Sequence, residues 1–282
     1  MKIVVLTLAN DEVCICSRCR RDGRTRAYSE MITAIRKTWA AEEVEGIKKY
    51  YIYGHREGVE FPKDSAIINS KERYWPDGAA GDGGKPHDVE QKRKAFAIGD
   101  CIYSDTPEGR ENLYYKTVDG FEWLIENEDF DYLIRPSAGS YIDLRLFKRY
   151  LDNIGIKDNF YAGSIGQYNN SHSKDQAHNI KYASGSGFIA SRNLIEDLVK
   201  NRNIIKPVRS KYASATIADD VTFANHFVHT LGADITPFQK VQLTSLNQVS
   251  AGLKDVMHCY FTHTINPDLM YAVHKVKGLS NK

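Results

Sequence analysis

Two adjacent acidic residues, Asp219-Asp220, stand before an apolar run at helical spacing (Val221, Ala224, Val228, Leu231). A carboxylate placed there has two readings. It caps the helix and favours its positive end, or it acts as a general base toward an attacking hydroxyl. The two are compatible, because one Asp can cap while the other faces a pocket. Upstream, Ser184-Gly185-Ser186-Gly187 forms a small-residue turn before a strand. Its glycines admit close approach of a ligand to the backbone, and a tight turn explains it equally well. Segment 9–27 carries Cys14, Cys16, Cys19 and five arginines: Arg18, Arg20, Arg21, Arg24 and Arg26. Guanidinium groups match phosphate oxygens in pairs, so the cluster suits a nucleotide diphosphate, nucleic acid or plain solvent. The cysteine spacing points toward zinc, but no second close pair completes a four-ligand set, and free thiols are the alternative. Gly78 to Gly83 has the spacing of a phosphate-binding loop, yet Gly84 stands where its lysine belongs and Pro86 follows Lys85. That stretch reads as a surface loop or a cover over a site.

These residues need a scaffold, and the chain alternates strands with helices. An apolar run from Ile3 to Ala9 predicts a buried first strand. Ser29 opens a helix to about Trp39, with Met31, Ile32 and Ile35 on one face. Strands are expected at 50–54, 66–68, 131–135, 159–163 and around Ile189. Helices are expected at about 89–98, 110–127, 143–152 and 192–200, and from Asp219 or Asp220 onward. Loops are expected at 75–88 and 165–180. The alternation argues for an α/β fold with a mostly parallel central sheet. In such sheets ligands sit at the carboxyl ends of the strands, which puts loops 9–27 and 136–141 near a site. The 282 residues form one domain with no linker-like break. The formal net charge of +2 speaks against a nucleic-acid binder on bulk electrostatics. Five cysteines are too few for a disulfide scaffold of this size. No run approaches a membrane span, and the N-terminus lacks a signal sequence's cleavage site. The expectation is a soluble, cytoplasmic protein.

Several segments, in order, resemble one family. Arg36-Lys37-Thr38-Trp39 is similar to an R-x-T-W segment, and Tyr51-Ile52-Tyr53-Gly54 to the strand after it. Gly99-Asp100, Asp105 and Asn112-Leu113-Tyr114-Tyr115-Lys116-Thr117 are similar to a D…Y-x-N-L-T-x-K-T helix, and Trp123 follows. Tyr161-Ala162-Gly163 resembles Y-x-G, residues 182–191 resemble Y-x-S-G-G-G-Y-x-x-S, and Asp219-Asp220-Val221 resembles E/D-D-V. The chain thus resembles the inverting β1,3-glycosyltransferases of the β1,3-galactosyltransferase and Fringe type over about 30–232. The resemblance implies a GT-A (Rossmann-like) fold. About 1–145 would be the nucleotide-sugar-binding half and about 146–282 the acceptor-binding half. It implies transfer of a sugar from a nucleotide sugar, a UDP-sugar by preference, to a glycan or glycoprotein hydroxyl with inversion. The base falls on Asp220, with Asp219 in reserve. Donor contacts fall on Thr7, Ala9, Arg36, Asp100, Lys116, Arg135, Ser137, Ala138 and Gly139. Acceptor-pocket positions are Tyr161, Gly163, Ser184, Gly185, Ser186 and Gly187. A histidine late in the chain, His258 or His263, aligns loosely with one near the donor phosphates, and a core or surface histidine is the simpler reading.

One departure matters. The family carries Asp-Asp-Asp or Asp-x-Asp after the central strand, where it holds a divalent metal. Here Ser137, Ala138 and Gly139 occupy that slot, and Asp129-Phe130-Asp131 precedes the strand, toward the other end of the sheet. Ser and Gly do not hold a hard cation as paired carboxylates do, so no cofactor is assigned; Mn2+ or Mg2+ would need other ligands. Three readings follow. The favoured one is a metal-independent enzyme, with Arg135, the loop arginines or Lys116 meeting the diphosphate. The second holds the metal elsewhere, for example with His263. The third is an inactive nucleotide- or carbohydrate-binding protein on the same fold. A zinc or nucleic-acid module on the Cys/Arg loop competes from outside the family. Without an anchor the enzyme would work in the cytoplasm, that of a host if it is viral.

Overall fold

Six consecutive buried residues, Ile3–Leu8, form β1, an apolar run of the kind that a strand covered on both faces requires. The computed structural model describes residues 1–10, 28–55, 66–74, 87–109, 112–169, 179–208, 217–261 and 267–278, with backbone alone at 66–74 and 87–94. The Cys/Arg segment from 11 to 27, the glycine-rich stretch from 75 to 86, residues 170–178 and His263 lie outside the described residues.

From β1 the chain runs through α1 (Tyr28–Lys37), β2 (Ile47–His55), β3 (Ala66–Tyr74), β4 (His87–Ile98), β5 (Cys101–Pro107) and α2 (Leu113–Asn127). Then come β6 (Tyr132–Pro136), β7 (Ser140–Ile142), α3 (Leu144–Ile154), β8 (Tyr161–Tyr168), β9 (Ile180–Ser191) and α4 (Arg192–Lys200). The last third holds α5 (Asp219–Ala224), a π-helical turn (Asn225–Thr230), β10 (Ile235–Pro237), β11 (Lys240–Leu243), β12 (His258–Phe261) and α6 (Pro267–Val276). Among the described residues one sheet has nine strands in the order β10-β8-β9-β6-β1-β2-β5-β4-β3, and a second has three, β11-β12-β7. The centre of the large sheet, β6-β1-β2-β5, is parallel, and antiparallel strands extend it on both sides. This is the α/β class expected. Two apolar layers cover its faces: Ile3 and Val5 pack with α1, α3 and α6, while Val4 and Leu6 pack with α2, α4 and α5.

Three elements differ from expectation. Residues 87–98 are a strand, not a helix at 89–98: pairing with β3 on one side and β5 on the other overrides the helix-forming Glu-Gln-Lys-Arg-Lys composition. Gly99 and Asp100 close a two-residue hairpin between β4 and β5, and Gly99 has the positive φ of +60° that such turns favour. Residues 165–168 and 180 extend β8 and β9 into what was expected to be loop. α6 was not anticipated, although Pro267 in its first turn is a regular helix start. In α5, Val221 and Ala224 face inward as expected, but Phe223 and Phe227 fill the core beside them. Val228 and Leu231 are only half-buried, because the π turn at 225–230 shifts the helical register.

Candidate active site

β6 carries Arg135 and the turn 137–139 to the carboxyl end of the parallel strands, where Ser137 bridges to Leu8 of β1. Bound to it are residues 184–187, which lie inside β9 and not in a turn ahead of a strand as expected; the strand bulges here as its register against β8 shifts, giving a turn-like stretch. The Ser186 carbonyl accepts the Ser137 N–H at 3.0 Å and the Ser140 hydroxyl at 2.5 Å. On the α2/α5 side of this junction sit the two aspartates. Asp219 is buried and bonded to the Arg135 guanidinium, whose other nitrogen donates to the Gly185 carbonyl at 2.8 Å. Asp220 is half-buried: Oδ2 accepts the Gly185 N–H at 2.8 Å and Oδ1 the Val221 N–H at 2.9 Å. Neither is the N-cap, which is Ala218. Burial first, and then the neighbouring Asp219 charge, push the Asp220 carboxyl up to about 6, against the Gly185 bond and Arg135. A Cβ on Gly185 would fall 3.0 Å from Asp220 Oδ2 and 3.2 Å from Arg135 Nη1, so glycine is what lets both groups close on this turn.

A lysine absent from the sequence expectations approaches the same bulge of β9 from β11. Lys240 Nζ donates to Ser184 Oγ at 3.0 Å and Ser186 Oγ at 3.1 Å, and lies 5.3 Å from the Tyr260 ring centroid. Burial lowers its pKa, opposed by the Asp220 charge. No local sequence signal marks it, since only the pairing of β11 with β12 brings it here. His258 lies beneath, fully buried, where a Cβ on Gly187 would come within 2.9 Å of its Cε1. Burial first, then Lys240, drop its pKa to about 3, so the ring is neutral near neutral pH and brings no positive charge to a phosphate.

The remaining expected residues divide. Thr7 and Ala9 are buried at the end of β1. Arg36 stacks 4.1 Å over Tyr51, which pairs in register with Thr7. Its two terminal nitrogens bond Asp100 at 2.6 and 2.8 Å, which holds the Asp100 carboxyl below its usual range. Lys116 is buried and committed, donating to Glu108 at 2.6 Å and to the Ala9 carbonyl at 2.9 Å. Its charge is therefore already met, in contrast to the expectation that it faces a diphosphate. Tyr161 is not presented to a pocket: it is fully buried against Phe188 and Phe227, and its hydroxyl accepts the Ala183 N–H at 3.2 Å. Gly163 packs under Ala183, where a Cβ would stand 2.5 Å from the alanine's own. Ala138 is buried, and the Gly139 carbonyl accepts the Phe261 N–H at 2.9 Å, tying the turn to β12.

The family's divalent metal does not fit the residues at this turn. The slot offers two serine hydroxyls, Ser137 and Ser140, bonded to each other at 3.0 Å, and no carboxylate. Asp219 is engaged by Arg135, and among the described residues no group of three His, Cys, Asp or Glu could hold a metal. Asp129 and Asp131 lie where β1 begins: Asp129 pairs with the Lys2 ammonium and Asp131 accepts the Lys2 N–H at 2.7 Å.

No family model matches the chain. It is 27% identical over 146 residues to the human UDP-GalNAc:beta-1,3-N-acetylgalactosaminyltransferase 1, covering 45% of this chain and 44% of that protein. It is 22% identical over 143 residues to the Danio rerio UDP-GalNAc:beta-1,3-N-acetylgalactosaminyltransferase 2, covering 47% and 29%. The chain is thus a distant relative of these enzymes, and it spans less than half the length of the curated relatives it matches. Similar solved structures include a glycosyltransferase involved in the glycosylation of the major capsid of PBCV-1, with a TM-score of 0.39, 7% identity, and coverage of 99% of this chain and 100% of that one. The galactosyltransferase LgtC gives 0.42, 10%, 99% and 97%. The fold rests on the topology above, not on these superpositions. Among the described residues no helix is long and apolar enough to cross a membrane.

Proposed function

We propose that the chain is an inverting glycosyltransferase of the GT-A type, moving a sugar from a UDP-sugar to a hydroxyl of a glycan or glycoprotein. The observation that carries this reading is Asp220. It is a half-buried carboxylate at the carboxyl end of the parallel strands, held by the Gly185 N–H and raised to about 6. A carboxylate so poised is ionised at neutral pH and still basic enough to accept a proton in the transition state. The acceptor oxygen attacks the donor's C1 as the bond from C1 to the diphosphate oxygen breaks. That bond's electrons leave with the diphosphate, and the hydroxyl proton passes to Asp220. Asp219 and Arg135 position the Gly185 turn and so the base. Residues 1–145 then form most of the donor side and 146–282 most of the acceptor side. The relatives' names specify UDP-GalNAc, which supports a uridine donor.

A panel of UDP-GalNAc, UDP-Gal, UDP-GlcNAc and UDP-Glc tests this by thermal shift and by release of UDP with and without acceptor sugars. The expected result is stabilisation by one donor and a product of inverted anomeric configuration by NMR. Binding without transfer or hydrolysis would make the chain a binding protein. Retention of configuration would remove the single-displacement mechanism.

A further inference from the structure

An inverting displacement expels a diphosphate whose growing negative charge must be met by a cation, and the turn after β6 has no carboxylates with which to hold one. Among the described residues, the positive side chains nearby are mostly occupied. Arg135 is bonded to Asp219, Lys116 to Glu108 and Arg36 to Asp100. Lys240 differs. Its bonds run to two neutral hydroxyls, Ser184 and Ser186, and it has no ion pair among the described residues. An ammonium has three protons to donate, so at least one is left for a ligand. Its place is also telling. Ser186, which holds it, also receives the Ser137 N–H at 3.0 Å. The ring of Tyr260 beneath it lies 3.5 Å from where a Gly139 Cβ would be. The ammonium is therefore anchored to the same turn as the empty carboxylate slot.

We infer that Lys240 takes the place of a divalent metal as the cation that meets the donor's diphosphate, an inference that rests on the glycosyltransferase reading above. In the transfer step the electron pair of the broken C1–O bond stays on the phosphate oxygen. A Lys240 N–H donates a hydrogen bond to the diphosphate, no proton leaves the lysine, and the acceptor's proton goes to Asp220. A partly desolvated ammonium held only by hydroxyls gains more from an arriving anion than a hydrated one does.

The test is calorimetric binding of UDP, GDP and ADP, each against its nucleoside, in EDTA and in Mn2+, for the wild-type chain, K240Q and K240R. The expected wild type binds one nucleoside diphosphate with the same affinity in EDTA as in Mn2+. K240Q weakens that diphosphate about 10- to 100-fold, the scale of a lost charged hydrogen bond, and leaves the nucleoside unchanged; K240R recovers most of the loss. Wild-type binding that requires Mn2+ overturns the inference without any variant, and so does a folded K240Q with undiminished diphosphate affinity. Both of those results leave the glycosyltransferase reading standing. A wild type that binds none of the diphosphates overturns the two together.

Discussion

A carboxylate that collects a proton from a sugar hydroxyl at neutral pH works best when its own proton affinity lies close to that pH. Asp220 reaches about 6 because its half-buried site penalises the charge and Asp219 stands beside it. Two consequences separate its chemical role from its structural one. Asp220→Asn keeps an oxygen for the Gly185 N–H but cannot take a proton, so turnover should fall about 10²- to 10⁴-fold with circular dichroism unchanged. In the wild type, kcat/KM should fall tenfold per pH unit below about 6 and level off above it. Stability moves the other way. Below pH 3.8 the carboxyl is protonated in folded and unfolded chains alike. Between 3.8 and about 6 the folded chain keeps a proton that the unfolded chain gives up, and above 6 the charge is held at a cost. Asp220→Asn leaves one of two backbone N–H groups, Gly185 or Val221, without its acceptor at every pH, so the readout is the trend: its stability relative to wild type should rise by about 1–3 kcal/mol from pH 4 to pH 7. Urea unfolding at several pH values measures it, and a stability difference that stays constant from pH 4 to pH 8 would show that the charge is not penalised.

At the scale of elements, the site is held together by close contacts that leave no room for side chains. β9 approaches β12 at Gly187, where a methyl group would lie 2.9 Å from the buried His258 ring. Gly187→Ala should cost about 1–3 kcal/mol through overpacking, and His258→Ala in the same chain should return part of it, a coupling that a double-mutant cycle reads directly. The sequence showed this region only in part. The helix opening at Asp219 and the end of β6 were legible, because each has a local signal: acidic residues ahead of an apolar period, an apolar run stopped by proline. The glycines of 184–187 marked a place of close approach, but not that it lies inside β9 as a bulge and not in a turn ahead of a strand. Residues 87–98 were not, since their strand exists through pairing with neighbours on both sides and their composition favours helix. Lys240 was not legible either. A lysine opening a short strand has no pattern of its own, and its meaning depends on β11 lying beside β12, and β12 beside β7.

Over the whole molecule, groups distant in sequence build the site, and a second set, away from the turn at 184–186, locks the scaffold beneath it. Asp119 of α2 is fully buried and accepts from Arg202 at 2.8 Å, from the Thr106 hydroxyl at 2.6 Å and from the Ser104 hydroxyl. Arg202, in the turn after α4, also pairs with Glu122. One carboxylate thus joins β5, α2 and the end of α4. Composition and periodicity were silent on this network because Asp119 and Arg202 lie 83 residues apart, and each looks like an ordinary surface charge in its own segment. Removing one partner of a buried ion pair leaves the other charge uncompensated and costs about 3–5 kcal/mol. Arg202→Met should lower the free energy of unfolding by that amount, and Asp119→Asn in the same chain should recover a good part, since the stranded charge is then gone. Nucleoside diphosphate affinity of the folded Arg202→Met chain at low temperature should match wild type, because none of these residues touches the turn at 184–186. A change in affinity as large as that of K240Q would instead make α2 and α4 part of the binding machinery, and the division of the molecule into a rigid frame and a charged turn would fail.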